Sequence, residues 1–231
     1  GYDIGSSSIK VALINIVTGE KAVIVQSPES EMDILSPAPG WAAQQPETWW
    51  QHLCLATQKL LRLTRANPAD IQGIGIAYQM HGLVCVDKNQ QVLHPSIIWC
   101  DSRAVDIGAR AFDEIGPEKC LSRLLNSPGN FTASKLAWLK KHETAIFEKT
   151  DKFMLPGDYI AMRLTGEILT TPSCLSEGIL WDFQMNTIAD FVLDYFGFAK
   201  SLVPTITPTF SHQGKLSALA AAETGLAKGI P

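Results

Sequence analysis

The sequence predicts an α/β fold, a mixed sheet flanked by helices and followed by a mostly helical insertion. Three observations predict it. Apolar, β-rich runs at residues 9–14 and 22–25 flank the turn Thr18-Gly19-Glu20. An apolar series at helical spacing follows: Trp49, Leu53, Ala56, Leu60 and Leu63. Beyond residue 103, helical tracts are broken by Gly116-Pro117 and by Ser127-Pro128-Gly129.

Taken in order, the two opening runs form an antiparallel meander. Polar turn residues arrive four positions into the chain, which leaves little room for a full strand before them. Residues 32–46 carry Pro37, Pro39, Gly40 and Pro46 and read as a surface loop, with Pro46 suited to the first turn of the next helix. That helix ends near Asn67-Pro68. Residues 71–78 interleave Ile74 and Ile76 with Gly73, Gly75 and Ala77, a strand with one nearly bare face on which a helix can lie closely. Residues 82–86 and Val92, on either side of the turn 87–90, predict a hairpin. Ile97-Ile98-Trp99 is a further short strand, and Asp101-Ser102 a helix cap. Helices are expected at 103–115, 117–125, 133–148 and 156–165.

The 231 residues suit one to two domains of about 150 residues each. With 46% hydrophobic and 18% charged residues the chain has ample material for a core and is not disordered. Nineteen basic against 23 acidic side chains leave a net charge of −4, so no global basic field invites nucleic acid or an anionic membrane. No apolar run approaches the ~18–20 residues of a membrane span. The five cysteines form no C-x-x-C pair and are odd in number, as reduced thiols in a cytoplasm would be. The histidines do not pair at metal-ligand spacing. The sequon Asn130-Phe131-Thr132 is then a chance match. The chain opens on Gly1 without an initiator methionine and stops on Pro231, so both ends are expected to be cuts in a longer chain.

Three short stretches could carry chemistry. In Asp3-Ile4-Gly5-Ser6-Ser7-Ser8-Ile9-Lys10, a carboxylate at a strand end precedes a glycine, three hydroxyls and a lysine. Backbone N–H and side-chain O–H donors of such a turn can cradle a phosphate, Asp3 can hold Mg²⁺ through water, and Lys10 adds charge. An ordinary hairpin turn has the same composition. In Tyr78-Gln79-Met80-His81-Gly82, an amide and an imidazole between strands suit the hydroxyls of a sugar-sized ligand; a plain connection with a satisfied histidine is the alternative. In Trp99-Cys100-Asp101-Ser102-Arg103, the indole can pack on a ligand while Asp101 and Arg103 bind hydroxyls or each other; Asp101 can equally be a helix cap.

In their order these stretches resemble the N-terminal part of the FGGY family of carbohydrate kinases, and within it the xylulokinases. The resemblance rests on Asp3-Ile4-Gly5-Ser6-Ser7, on Gly40-Trp41 with Gln45-Pro46-Glu47-Thr48-Trp49-Trp50, and on residues 73–82 ending in Gln79-Met80-His81-Gly82. It continues through residues 98–103, residues 131–138, Leu155-Pro156-Gly157-Asp158-Tyr159 and Leu164-Thr165-Gly166. Two positions depart from it: Ser6, where threonine is frequent, and Cys100, where the xylulokinases commonly carry a polar residue.

The resemblance implies an actin-like, ribonuclease-H-like ATPase fold, with residues 1–231 as the sugar-binding lobe of a two-lobe kinase using ATP and Mg²⁺. By that likeness Asp3, Gly5, Ser6, Ser7, Ser8 and Lys10 position phosphates and, through water, the metal. Gln79, Met80, His81, Trp99, Asp101 and Arg103 form the substrate side. D-Xylulose is the expected substrate; another ketose or polyol, or a non-catalytic actin-like module that binds nucleotide or partner protein, are the alternatives. The base of this family is an aspartate in a glycine-rich turn after a strand start like Gly229-Ile230-Pro231. It and the adenosine-binding lobe are therefore expected beyond Pro231, and the chain alone is expected to be inactive. No nucleic-acid or membrane partner is implied, and a homodimer is compatible with the sequence.

Overall fold

A computed structural model describes residues 1–231. Three strands, β1 (Tyr2–Ile4), β2 (Ile9–Ile14) and β3 (Lys21–Ser27), form the predicted antiparallel meander. The opening strand exists after all. It spans only three residues, but it lies inside the sheet, pairing with β2 on one side and with a parallel strand on the other. Pairing on both edges compensates for its shortness, and Ile4 is fully buried beneath it.

After the proline-rich loop, β4 (Ala43–Gln44) leads into α1 (Pro46–Thr64), with Pro46 in its first turn as expected. Trp49, Leu53, Ala56 and Leu60 are buried against the sheet, but Leu63 is 62% exposed, because the packed face of the helix ends one turn before the helix does. Of the strand expected over 71–78, only β5 (Ile76–Tyr78) forms, parallel to β1, giving the sheet order β3-β2-β1-β5. The close helix contact is also placed differently. A Cβ on Gly75 would meet nothing, whereas one on Gly157, in the first turn of a later helix, would stand 2.2 Å from Tyr78 Cδ1.

The hairpin expected around residues 87–90 reduces to one bridge between Val86 and Val92. The strand β6 (Val84–Val86) pairs instead with a distant partner, and β7 (Ser96–Ile97) pairs with β4. Next come α2 (Val105–Ile115), α3 (Pro117–Arg123), α4 (Thr132–His142) and α5 (Thr144–Lys149). The single helix expected over 133–148 is thus two, divided at Glu143, whose φ of −128° and ψ of 50° are not helical. The N-cap of α2 is Ala104, so Asp101 is no cap. The partner of β6 is β8 (Lys152–Met154), followed by α6 (Pro156–Thr165), which begins with Gly157 in its first turn.

The last third holds β9 (Leu169–Thr170), α7 (Pro172–Glu177), the hairpin β10 (Trp181–Asp182) and β11 (Thr187–Ile188), α8 (Asp190–Phe196), β12 (Thr205–Ile206) parallel to β9, and α9 (Ala218–Thr224). Two hydrophobic cores result. One lies between the four-stranded sheet and α1, α6 and α9; the other gathers α2, α3, α4, α7 and α8. The β6–β8 ladder divides them. Val84, Val86 and Met154 enter the first core, while Cys85 and Phe153, of opposite strand parity, enter the second. No helix is long and apolar enough to cross a membrane.

Candidate functional site

Parallel strands β1 and β5 end side by side, and the chain leaving each carries one of the predicted motifs. After β1, residues 5–8 turn tightly into β2, with the Gly5 N–H donating to the Ser8 carbonyl at 3.2 Å. Glycine is required here: a Cβ would come within 2.9 Å of that carbonyl oxygen. After β5, the Gln79 N–H donates to the Ile4 carbonyl at 2.8 Å and carries the ladder one residue further, so Gln79, Met80 and His81 emerge beside the serine turn.

The third motif joins them through Trp99, whose indole N–H donates to Ser6 Oγ at 3.2 Å. The turn is also held from behind, by Gln44 Nε2 on the Ser6 carbonyl at 2.7 Å and by the Met32 N–H on the Ser7 carbonyl at 2.8 Å. Met80 and Trp99 are each about half exposed, at 53% and 48%, and supply apolar surface next to these hydroxyls. Asp3 lies opposite Lys10 across the β1–β2 pair, with its carboxylate 3.9 Å from Lys10 Nζ and both side chains half exposed. No group of three or more His, Cys, Asp or Glu side chains converges as a metal cage. A lone, half-exposed carboxylate suits a cation held through its water shell better than one directly chelated.

Gln79 and His81 are held with polar atoms free. Both amide atoms of Gln79, a donor and an acceptor, are buried without a protein partner. His81 has φ +59°, its ring meets Phe131 edge-on at 4.2 Å, and its Nδ1 is buried and unbonded. Burial, reinforced by the positive charge of Lys135, lowers its pKa to about 4, so the imidazole is neutral at pH 7.

Asp101 and Arg103 are placed differently from the expectation that they meet a ligand. Their side chains are 0% and 3% exposed and face each other. Asp101 Oδ1 accepts from the Arg103 backbone N–H at 2.9 Å, and Oδ2 from Arg103 Nη2 at 2.7 Å and from the Ala42 N–H at 2.5 Å. The guanidinium stands 4.0 Å from the ring centroid of Trp41 and 4.9 Å from that of Trp138. A carboxylate and a guanidinium sealed in this way satisfy one another and anchor the turn that carries Trp99. Of the readings open in the sequence, binding each other is the one realised.

Two residues outside the predicted set complete the surroundings. Lys135, fully buried in α4, donates to the carbonyls of His81 at 2.7 Å and Ile98 at 3.0 Å, and so ties the second motif to the third. Burial lowers its pKa to about 8. Glu177, the last residue of α7, accepts the His81 N–H at 2.5 Å. Each left a mark in the sequence. Lys135 is the one charged residue between Phe131 and Leu139, and Glu177 is a carboxylate at a helix C-terminus, where the helix dipole disfavours it.

Residues 1–231 match the family model described as the FGGY family of carbohydrate kinases, N-terminal domain. The xylulose kinase of Klebsiella pneumoniae is 34% identical over 219 residues, covering 94% of this chain and 43% of that protein. The L-xylulose/3-keto-L-gulonate kinase of Escherichia coli (strain K12) is 32% identical over 235 residues, covering 100% and 46%. Among solved structures, a xylulose kinase from Rhodospirillum rubrum matches with a TM-score of 0.89 at 30% identity over 100% of this chain and 48% of that one. A glycerol kinase of Plasmodium falciparum shares the fold at a TM-score of 0.85 and 17% identity, over 99% of this chain and 47% of that one. The chain spans less than half the length of each of these relatives.

Proposed function

Since this chain belongs to the FGGY family of carbohydrate kinases, we propose that the protein transfers the γ-phosphoryl group of ATP to a hydroxyl of D-xylulose, giving D-xylulose 5-phosphate. The observation that carries this reading is the meeting of three motifs at one end of the sheet: Trp99 donates to Ser6 Oγ, and the Gln79 N–H on the Ile4 carbonyl sets the 79–81 segment beside the same serine turn. Two relatives at 30% identity or more that are named xylulose kinases support the substrate.

In this reading the residues divide into two sides. On the phosphate side, Gly5 permits the tight turn, Ser6, Ser7 and Ser8 offer hydroxyl and backbone donors, and Lys10 contributes positive charge. Asp3 would hold Mg²⁺ through water; that ion would neutralise phosphate charge. On the sugar side, the Gln79 amide presents a donor and an acceptor, the His81 ring presents one nitrogen, and Met80 and Trp99 cover the apolar face of the ligand. Asp101 and Arg103 serve by fixing the Trp99 turn. Residues 1–231 form the sugar-binding lobe; the adenosine site and the carboxylate that accepts the hydroxyl proton belong to a second lobe of a longer protein. Free thiols, three of them buried, fit the reducing cytoplasm in which we place it.

The test is a coupled ADP-release assay on the full-length protein with D-xylulose, L-xylulose, D-ribulose, gluconate and glycerol. D-Xylulose should give the highest kcat/KM. A higher value for any other member of the panel overturns the substrate, and no ADP release with any of them overturns the kinase. Residues 1–231 alone should show no turnover; a rate in the range of about 1–100 s⁻¹ would remove the second lobe from the argument.

A further inference from the structure

His81 occupies the left-handed region at φ +59°, which is uncommon for any residue other than glycine and needs support from its surroundings. Three groups supply it. Glu177 Oε1 takes the backbone N–H at 2.5 Å, Lys135 Nζ donates to the carbonyl at 2.7 Å, and Phe131 packs edge-on to the ring. The same Glu177 oxygen stands 3.5 Å from His81 Nδ1, which is buried and makes no hydrogen bond, so the carboxylate faces that nitrogen as a charge. The other ring nitrogen, Nε2, makes no hydrogen bond within the protein and is not among the buried atoms, so it is the ring nitrogen open to a ligand. Nothing within α7 accounts for Glu177. It ends a helix, where its charge opposes the dipole, and it is largely withdrawn from water.

Resting on the kinase reading above, we propose that Glu177 is a positioning residue of the sugar site: its carboxylate holds the imidazole proton on Nδ1 and thereby leaves Nε2 as an acceptor for one substrate hydroxyl. The choice between the two neutral tautomers of a histidine is set by the partner of the other ring nitrogen. The charged groups near the ring are Glu177 from α7 and Lys135 from α4. Of these two, only the carboxylate favours a proton on the nitrogen it faces; the charge of Lys135 disfavours one. The consequence for recognition is specific. His81 reads a hydroxyl acting as donor, and a ligand bearing only an acceptor at that point leaves Nε2 unpaired.

The direct readout is the tautomer itself, from the ¹⁵N shifts of labelled His81 in this chain, with His81→Gln identifying its signals. The wild type should carry its proton on Nδ1, and Glu177→Ala should move it toward Nε2. Glu177→Gln keeps a carbonyl that can accept the backbone N–H and should lie between them; it serves if the alanine variant does not fold. In the full-length enzyme, Glu177→Ala should raise the KM for the sugar about tenfold, the scale of one hydrogen bond, with a smaller change in kcat. A wild-type proton on Nε2, or Glu177 variants with unchanged tautomer, overturns the proposal. His81→Ala separates the two levels. If it leaves the sugar KM unchanged, the sugar-site reading itself fails; if it raises KM while the Glu177 variants do not, only the positioning role fails.

Discussion

The Trp99 indole donates to Ser6 Oγ at 3.2 Å across 93 residues of chain, so the serine turn and the apolar wall of the site are fastened to each other. Trp99→Phe retains apolar surface but removes this donor. It should raise the sugar KM by about two- to tenfold, as expected for one hydrogen bond near the net scale of 0.5–1.5 kcal/mol, without loss of thermal stability beyond a degree or two. Steady-state kinetics of the full-length protein together with a melting curve will show whether the bond orders the site. An unchanged KM would reduce it to a surface contact.

The Asp101–Arg103 pair makes the opposite kind of prediction, one of stability. Both side chains are sealed from solvent, so removing one partner strands a buried charge. Asp101→Asn should cost about 3–5 kcal/mol in urea unfolding, and the double variant Asp101→Asn/Arg103→Met distinctly less than the sum of the two single ones. A loss below about 1 kcal/mol for Asp101→Asn would mean that the pair is weak and that Asp101 is free for a ligand, as the sequence alone allowed.

Lys135 makes a related case without a salt bridge. Lys135→Met should leave the His81 carbonyl unpaired and the Ile98 carbonyl with only the Asp101 N–H, and destabilise the chain by about 1–3 kcal/mol. Its effect should be local as well as global. Amide exchange at residues 81 and 99–101 should quicken more than exchange in β2 and β3, and uniform quickening would argue against a role as the tie between the two motifs.

Gly157 tests the packing of α6 on β5. An alanine gains helix propensity, yet its Cβ would meet the Tyr78 ring at 2.2 Å, and that ring is held by its hydroxyl on Cys174 Sγ at 3.0 Å. Overpacking should win, at about 1–3 kcal/mol of destabilisation, with partial rescue in Gly157→Ala/Tyr78→Leu. Because Tyr78 adjoins Gln79, the single variant should also weaken sugar binding.

Acid stability should reveal two opposed groups. Burial raises the pKa of Asp158 from 3.8 to about 6, so between those values the native state binds more protons than the unfolded state and stability falls as pH rises. Burial lowers His81 from 6.5 to about 4, so between those values the unfolded state binds more protons and stability rises with pH. In the wild type the two should largely cancel between pH 4 and 6. Urea unfolding of Asp158→Asn across that window should expose the rising limb, and His81→Gln the falling one. Parallel profiles for the two variants would contradict both assignments.

Much of this was legible in one dimension because it is encoded at short range. The runs that become β2 and β3 are apolar and β-rich within a few residues, and the α1 stripe from Trp49 to Leu60 repeats every three to four. The serine turn, the 79–81 segment and the Trp99 stretch stand out by composition. Two readings of local pattern went astray because of partners that the pattern itself does not show. Val84 to Val86 suggested a hairpin across 87–90, but the strand pairs with β8, some seventy residues on. Asp101 had the local signature of a cap, yet Arg103, Ala42 and the two tryptophans took its charge into the interior.

The sequence by itself thus determined the α/β class, the elements with strong periodicity and the three motifs in their order. Only the tertiary structure decided which polar groups stay free. It set Asp101 and Arg103 against each other, and it brought Lys135 and Glu177 to His81 across 54 and 96 residues. The physical reason is range. Periodicity and turn chemistry act between neighbours, whereas the pairing of a buried charge depends on whatever the fold places within about 4 Å of it.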